Sequence, residues 1–124
     1  MPRLIPFKPA HLYEFLNRDT LVYSSLEIAL EKYHGGPAFT GIAEGRVLGC
    51  AGVLVAWPGM GIAWMAIGFD SVKYKFWMTR MVKRGLEDVM RVYQLHRLET
   101  VVLAGSEVNR RWIHAIGFQE EDGV

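Results

Sequence analysis

The segment from Phe39 to Gly68 constrains this chain most. It is strand material cut by turn signals: Phe39 to Ala43, Glu44-Gly45, Val47 to Trp57, Pro58-Gly59-Met60-Gly61, then Ile62 to Gly68. Runs of apolar and β-branched residues between Gly- and Pro-bearing turns form strands, and a two-residue turn ending in glycine suits a hairpin. A three-stranded antiparallel meander is therefore expected. Gly49, Gly52, Gly61 and Gly68 leave gaps along it where another backbone or a ligand can approach closely.

The flanking segments supply the cover. Arg3 to Phe7 is β-capable, and Pro6, which has no amide proton, restricts it to a sheet edge or strand end. Ala10 to Asn17 places Leu12, Phe15 and Leu16 at helical spacing. Ser24 and Glu27 fit a capping box ahead of Leu26, Ala29, Leu30 and Tyr33, with Gly35-Gly36 ending that second helix. Lys75 to Gln94 gives the strongest helical pattern. Met78, Val82, Gly85/Leu86, Val89 and Tyr93 form one stripe, opposite Thr79, Arg80, Lys83, Arg84, Glu87, Asp88 and Arg91. Glycine costs a helix interior about 1 kcal/mol relative to alanine, so Gly85 in the apolar stripe points to close approach to a sheet.

Leu98 to Ala104 is a nearly continuous apolar run, as expected of a central strand covered on both faces. A last helix runs from Ser106, its N-cap, to Gly117, its stop. The expected order is β-α-α-β-β-β-α-β-α in one domain of residues 1–124. That is an α/β (α+β) architecture with a mixed, mostly antiparallel central sheet and helices on both faces.

A chain of 124 residues that is 51% hydrophobic buries enough surface for a single core without disulfides or metal. The only cysteine, Cys50, excludes an intramolecular disulfide and fits a reducing compartment. His11, His34, His96 and His114 show no paired spacing, so no metal site is assigned. The apolar run Val47 to Trp57 falls short of the roughly 20 residues a membrane-spanning helix needs. The N-terminus lacks the pattern of a signal peptide. A soluble, cytoplasmic protein with no membrane partner is expected.

The net charge of +1 does not point to nucleic acid. Locally, Lys73 to Arg97 holds seven Lys/Arg against two acids. This is either an anion site, with Tyr74 and Trp77 stacking on a base, or a solvated helix face laced by Lys83/Glu87, Arg84/Asp88 and Glu87/Arg91 pairs. Gly-x-Ser-x-Gly, Walker and dinucleotide motifs are absent from the sequence.

Two segments carry a resemblance to a known family. Arg3-Leu4-Ile5-Pro6-Phe7-Lys8-Pro9-Ala10-His11-Leu12 reads like the opening I-R-P-x-x-x-x-D-x of the GNAT superfamily of N-acetyltransferases. Gly105-Ser106-Glu107-Val108-Asn109-Arg110-Arg111-Trp112-Ile113-His114-Ala115-Ile116-Gly117-Phe118 resembles that family's N-x-x-A-x-x-x-Y-x-x-x-G-F helix. With the element order, the resemblance covers residues 3–118. Within the superfamily the chain looks most like the small GNAT-like proteins of tailed phages, including short internal virion proteins of some podoviruses.

The resemblance implies acetyl-CoA as cofactor and an amine that attacks its thioester directly. Its pantetheine would pair with backbone around Met65, Ala66 and Ile67, and its phosphates would lie near Lys73, Tyr74 and Lys75. Ser106 or Asn109 would line the same cleft. The implied function is an acyl-CoA-dependent N-acetyltransferase of unspecified acceptor. The alternative is a catalytically inactive GNAT-fold phage or prophage structural protein, virion-associated and acting in a homo-oligomer or with a virion protein.

The sequence departs from the family at three places. The glycine-rich loop that offers bare amides to the pyrophosphate at a helix N-terminus has no counterpart, since Phe69 to Trp77 contains no glycine. The cofactor loop is thus degenerate, with Lys73 and Lys75 offering charge in place of a backbone cradle. Ile113 stands where the family has the tyrosine that protonates the leaving thiolate, and Ile62 to Gly68 has no carboxylate, Asp70 being merely nearby. No catalytic acid or base is assigned. Six residues follow Phe118 where the family adds two strands. The C-terminal strands are read as truncated, and an unpaired sheet edge there would favour association.

Overall fold

The computed structural model describes residues 2–16, 20–24, 36–68, 73–100 and 107–118. The strands are β1 (Arg3–Pro6), β2 (Thr20–Ser24), β3 (Ala38–Ala43), β4 (Arg46–Trp57), β5 (Met60–Gly68) and β6 (Arg97–Glu99). The helices are α1 (Pro9–Leu16), α2 (Lys75–Val92) and α3 (Glu107–Ala115). The fold is mixed α+β. Its sheet runs β1-β3-β4-β5-β2 with antiparallel neighbours, and β6 joins β5 in parallel.

The β3-β4-β5 meander forms as its turns dictate. Glu44 and Gly45 both adopt positive φ, 54° and 74°, the twist that a two-residue hairpin needs. Gly59 turns the second hairpin at φ 88°. β1 lies at the sheet edge on β3, from Arg3↔Ile42 to Pro6↔Phe39, where proline's missing donor costs no ladder bond.

Helices cover both faces. On one, Met78, Val82 and Leu86 of α2, with Trp112 and Ile113 of α3, pack on Leu48, Ala51, Val53, Ala63, Met65 and Ile67. On the other, Leu12 of α1 packs with Phe7, Val47, Cys50, Trp64 and Ala66. At Gly49, Gly52 and Gly61 the gaps that the sequence left open to a ligand are filled by the protein's own atoms. A Cβ at Gly41 would stand 2.8 Å from Met78 Sδ, and one at Gly49 would stand 2.7 Å from Ile67 Cδ1. From the helix side, a Cβ at Gly85 would stand 2.6 Å from Phe39 Cε1. α2 therefore lies as close to the sheet as Gly85 implies.

Both long helical elements end in the same way. Gly117, at φ 111°, donates to His114 O while Phe118 N–H reaches back to Ile113 O. Gln94, at φ 53°, donates to Arg91 O while Leu95 N–H reaches back to Met90 O. These paired bonds satisfy carbonyls that the helix leaves open and require a left-handed residue, which glycine adopts without strain and glutamine does not.

The structure differs from these expectations at three places. Thr20–Ser24, to which the sequence assigned no element, forms strand β2, because Thr20, Val22 and Tyr23 suit a strand and the edge of β5 supplies the backbone partners. The helix expected after Ser24 falls on residues 25–35, outside the described residues. The expected strand from Leu98 is seen over Arg97–Glu99, at an edge of β5 and half-exposed, with residues 101–106 outside the described set. Tyr93, placed in the buried stripe by periodicity, caps α2 and is exposed. The C-terminal segment 119–124 also lies outside the described residues. Among the described residues no helix is long and apolar enough to cross a membrane.

Replacing Gly85 with alanine should lower stability by about 1–2 kcal/mol, the clash with the Phe39 ring outweighing the helix-propensity gain. Gln94→Gly should raise it by about 1 kcal/mol by relieving the left-handed backbone. Urea denaturation of the two variants measures both signs.

Candidate functional site

The outer edge of β5 is where the sequence resemblance would put a cofactor. Trp64, Met65 and Ala66 are fully buried there, so their backbone groups need hydrogen-bonding partners. β4 occupies one edge, with Ala51↔Met65, Cys50↔Ala66 and Gly49↔Ile67 in register. The opposite edge is shared. β6 pairs its start through Met60↔Arg97, Gly61↔Leu98 and Ile62↔Glu99. Thr100 Oγ1 then donates to Ala63 O at 2.9 Å. β2 pairs the remainder through Ser24↔Met65, Tyr23↔Ala66, Val22↔Ile67 and Thr20↔Gly68.

Met65, Ala66 and Ile67 are thus brought to a shared strand edge, but the chain itself takes the place assigned to pantetheine. Pantetheine is an extended chain with two amides, and it would compete with β2 for the same backbone groups. The side chains of Met65 and Ile67 join the core under α2, and that of Ala66 joins the core under α1.

Lys73 and Tyr74 form the 3₁₀ turn that leads into α2. Lys73 Nζ donates to Glu44 Oε1 at 3.1 Å, with both side chains about two-thirds exposed at 67% and 63%. The Lys73 hydrogen bond, followed by one from Tyr74, holds the Glu44 carboxyl below its ordinary value. The same hydrogen bond to Glu44 holds the Lys73 ammonium above its ordinary value. The residues assigned to phosphates therefore tie the start of α2 to the β3–β4 turn. Lys75 is exposed, its Nζ 5.7 Å from the Phe76 ring centroid. Tyr74 and Trp77, considered for stacking on a base, pack instead against the core under α2.

Asn109 lies in α3, Ile113 is buried in the core, and Ser106 and Asp70 lie outside the described residues. The described residues do not fit acetyl-CoA as arranged: the strand edge is paired and Lys73 is engaged. Among them no group of three or more His, Cys, Asp or Glu is disposed to hold a metal ion.

Two features escaped the sequence. Thr40, fully buried, places Oγ1 2.8 Å from His11 Nδ1 and 3.6 Å from Cys50 Sγ, while Lys8 N–H donates to that same His11 nitrogen. This line fastens α1 to β3 and β4, and no local motif announces it because its members lie on three elements. The second is a groove of about 260 Å³ between α2 and the end of α3, lined by Lys83, Leu86, Glu87, Met90, Leu98, Ile116, Gly117 and Phe118.

The Glu44 tie makes a pH prediction. A carboxyl held below its unfolded-state value contributes stability above that value, and the contribution is lost as pH falls through the lowered native one. In an NMR titration, Glu44 should protonate below the ordinary glutamate range, and Lys73→Ala should move its midpoint upward. No family model, no curated protein and no solved structure matches this chain.

Proposed function

We propose that this chain is a GNAT-like domain that works by associating with other proteins rather than by transferring acyl groups. The observation that carries this reading is the pairing of β2 with Met65–Gly68. An acyl-CoA-dependent N-acetyltransferase leaves that edge to pantetheine; here a strand of the same chain satisfies it. The engagement of Lys73 by Glu44 supports the same reading, because it withdraws a cation from the phosphate position. A phage or prophage structural role, in a homo-oligomer or with a virion protein, is compatible with such a domain.

The second reading is an acyl-CoA-dependent N-acetyltransferase with a degenerate cofactor loop. It is favoured by the parallel β5–β6 pair, which among the described residues spans Met60–Ile62, so that another extended chain takes the far part of the β5 edge. In that reading β2 moves aside, pantetheine pairs with Met65, Ala66 and Ile67, and Lys73 and Lys75 meet the phosphates.

Calorimetric titration with acetyl-CoA, against CoA and ATP, separates the two. Association alone predicts no saturable heat at millimolar acetyl-CoA. Saturable binding that prefers acetyl-CoA over ATP, and that weakens in Lys73→Ala/Lys75→Ala, would overturn it in favour of the enzyme.

A further inference from the structure

The solvent face of α2 is not the salt-bridged surface that its sequence suggests. Of the expected pairs Lys83/Glu87, Arg84/Asp88 and Glu87/Arg91, none forms; Asp88 pairs instead with Arg91 at 3.0 Å. Arg80, Lys83 and Arg84 are left without an ion pair to any described residue, and all three are exposed. Phe76, one turn before Arg80, is 80% exposed. At 100° per residue, Phe76, Arg80, Lys83 and Glu87 project within about 60° of one another. An exposed aromatic ring thus stands in line with cations that no described residue pairs with. Lys83 and Glu87 also form the rim of the groove, whose floor of Leu86, Met90, Leu98, Ile116 and Phe118 is apolar.

We propose that the surface running from Arg84 through Arg80, Phe76 and Lys83 into the groove beside α3 is a docking site for an acidic polypeptide segment that carries apolar side chains. Charge complementarity assigns the acids: three cations that no described residue pairs with would receive carboxylates at little desolvation cost on an exposed helix. The groove assigns the apolar component, since its floor of Leu86, Met90, Leu98, Ile116 and Phe118 offers apolar surface for such a side chain to cover. Exposed Phe beside Arg is also the composition of interface anchors. Glu87 and Asp88 interrupt the basic row, which favours a polypeptide of mixed character over the uniform phosphate track of a nucleic acid. The inference rests on the association reading and names its partner class.

Fluorescence anisotropy tests it with three labelled probes: a short peptide alternating Glu/Asp with Leu and Phe, the same peptide with Lys in place of the acids, and oligothymidylate. The acidic peptide should bind the full chain saturably. Affinity should fall about tenfold in Arg80→Ser/Lys83→Ser/Arg84→Ser and several-fold in Phe76→Ser. All four positions are exposed or solvent-facing, and circular dichroism confirms that the variants fold. The Lys-containing peptide should not bind.

Absence of saturable binding, unchanged affinity in the variants, or equal binding of the Lys peptide would overturn the proposal. Tighter binding of oligothymidylate with a steep salt dependence would overturn it in favour of a nucleic acid. The acetyl-CoA titration keeps the two levels apart. A protein that binds acetyl-CoA and also this peptide through α2 retains the docking surface and loses the association-only reading. One that binds neither loses the surface alone.

Discussion

Everything in this structure turns on the backbone of β5. Its middle is fully buried, so each N–H and C=O there must be matched, by protein or by something bound. β4 matches one side throughout. The other side is divided between a short parallel strand, a threonine hydroxyl and a short antiparallel strand. The proposed association reading rests on this division, since an acyl-CoA laid along β5 would need the hydrogen bonds that β2 makes.

Helix α2 is the second organising element, and its two sides are built on opposite principles. The inner side depends on absent side chains: Gly41 and Gly49 in the sheet admit Met78, and Gly85 in the helix admits Phe39. Close packing of this kind leaves little room for adjustment, since interiors are filled to crystal-like density. The outer side depends on charges that do not find one another. Asp88 pairs with Arg91, three cations have no ion pair among the described residues, and an exposed phenylalanine stands among them. Met78, Val82 and Leu86 seat the helix in the core and the bonds around Gln94 close its end, so its outer face is held toward solvent.

Much of the fold was legible because its signals are local. Hairpin turns at Glu44-Gly45 and Pro58-Gly59, the apolar stripe of α2 and the glycine that ends α3 each act within a few residues. β2 was not legible. The preference of Thr20, Val22 and Tyr23 for a strand acts only when β5 offers an edge more than forty positions away. Tyr93 failed for a related reason: periodicity places a residue on a face but does not say where the helix ends. The i,i+4 ion pairs were equally legible and did not form, because exposed charges choose partners by small energies that neighbouring geometry outweighs.

The sequence by itself determined the strand meander, the sidedness of α2, the edge position of β1 and the concentration of positive charge between Lys73 and Arg97, all of which follow from residue spacing and backbone preference. Tertiary structure decided who occupies the edge of β5, whether Lys73 meets a phosphate or Glu44, and that His11, Thr40 and Cys50 come together. Each of these is a contact between segments distant in the chain, where the outcome depends on which partners the folded backbone brings within hydrogen-bonding distance.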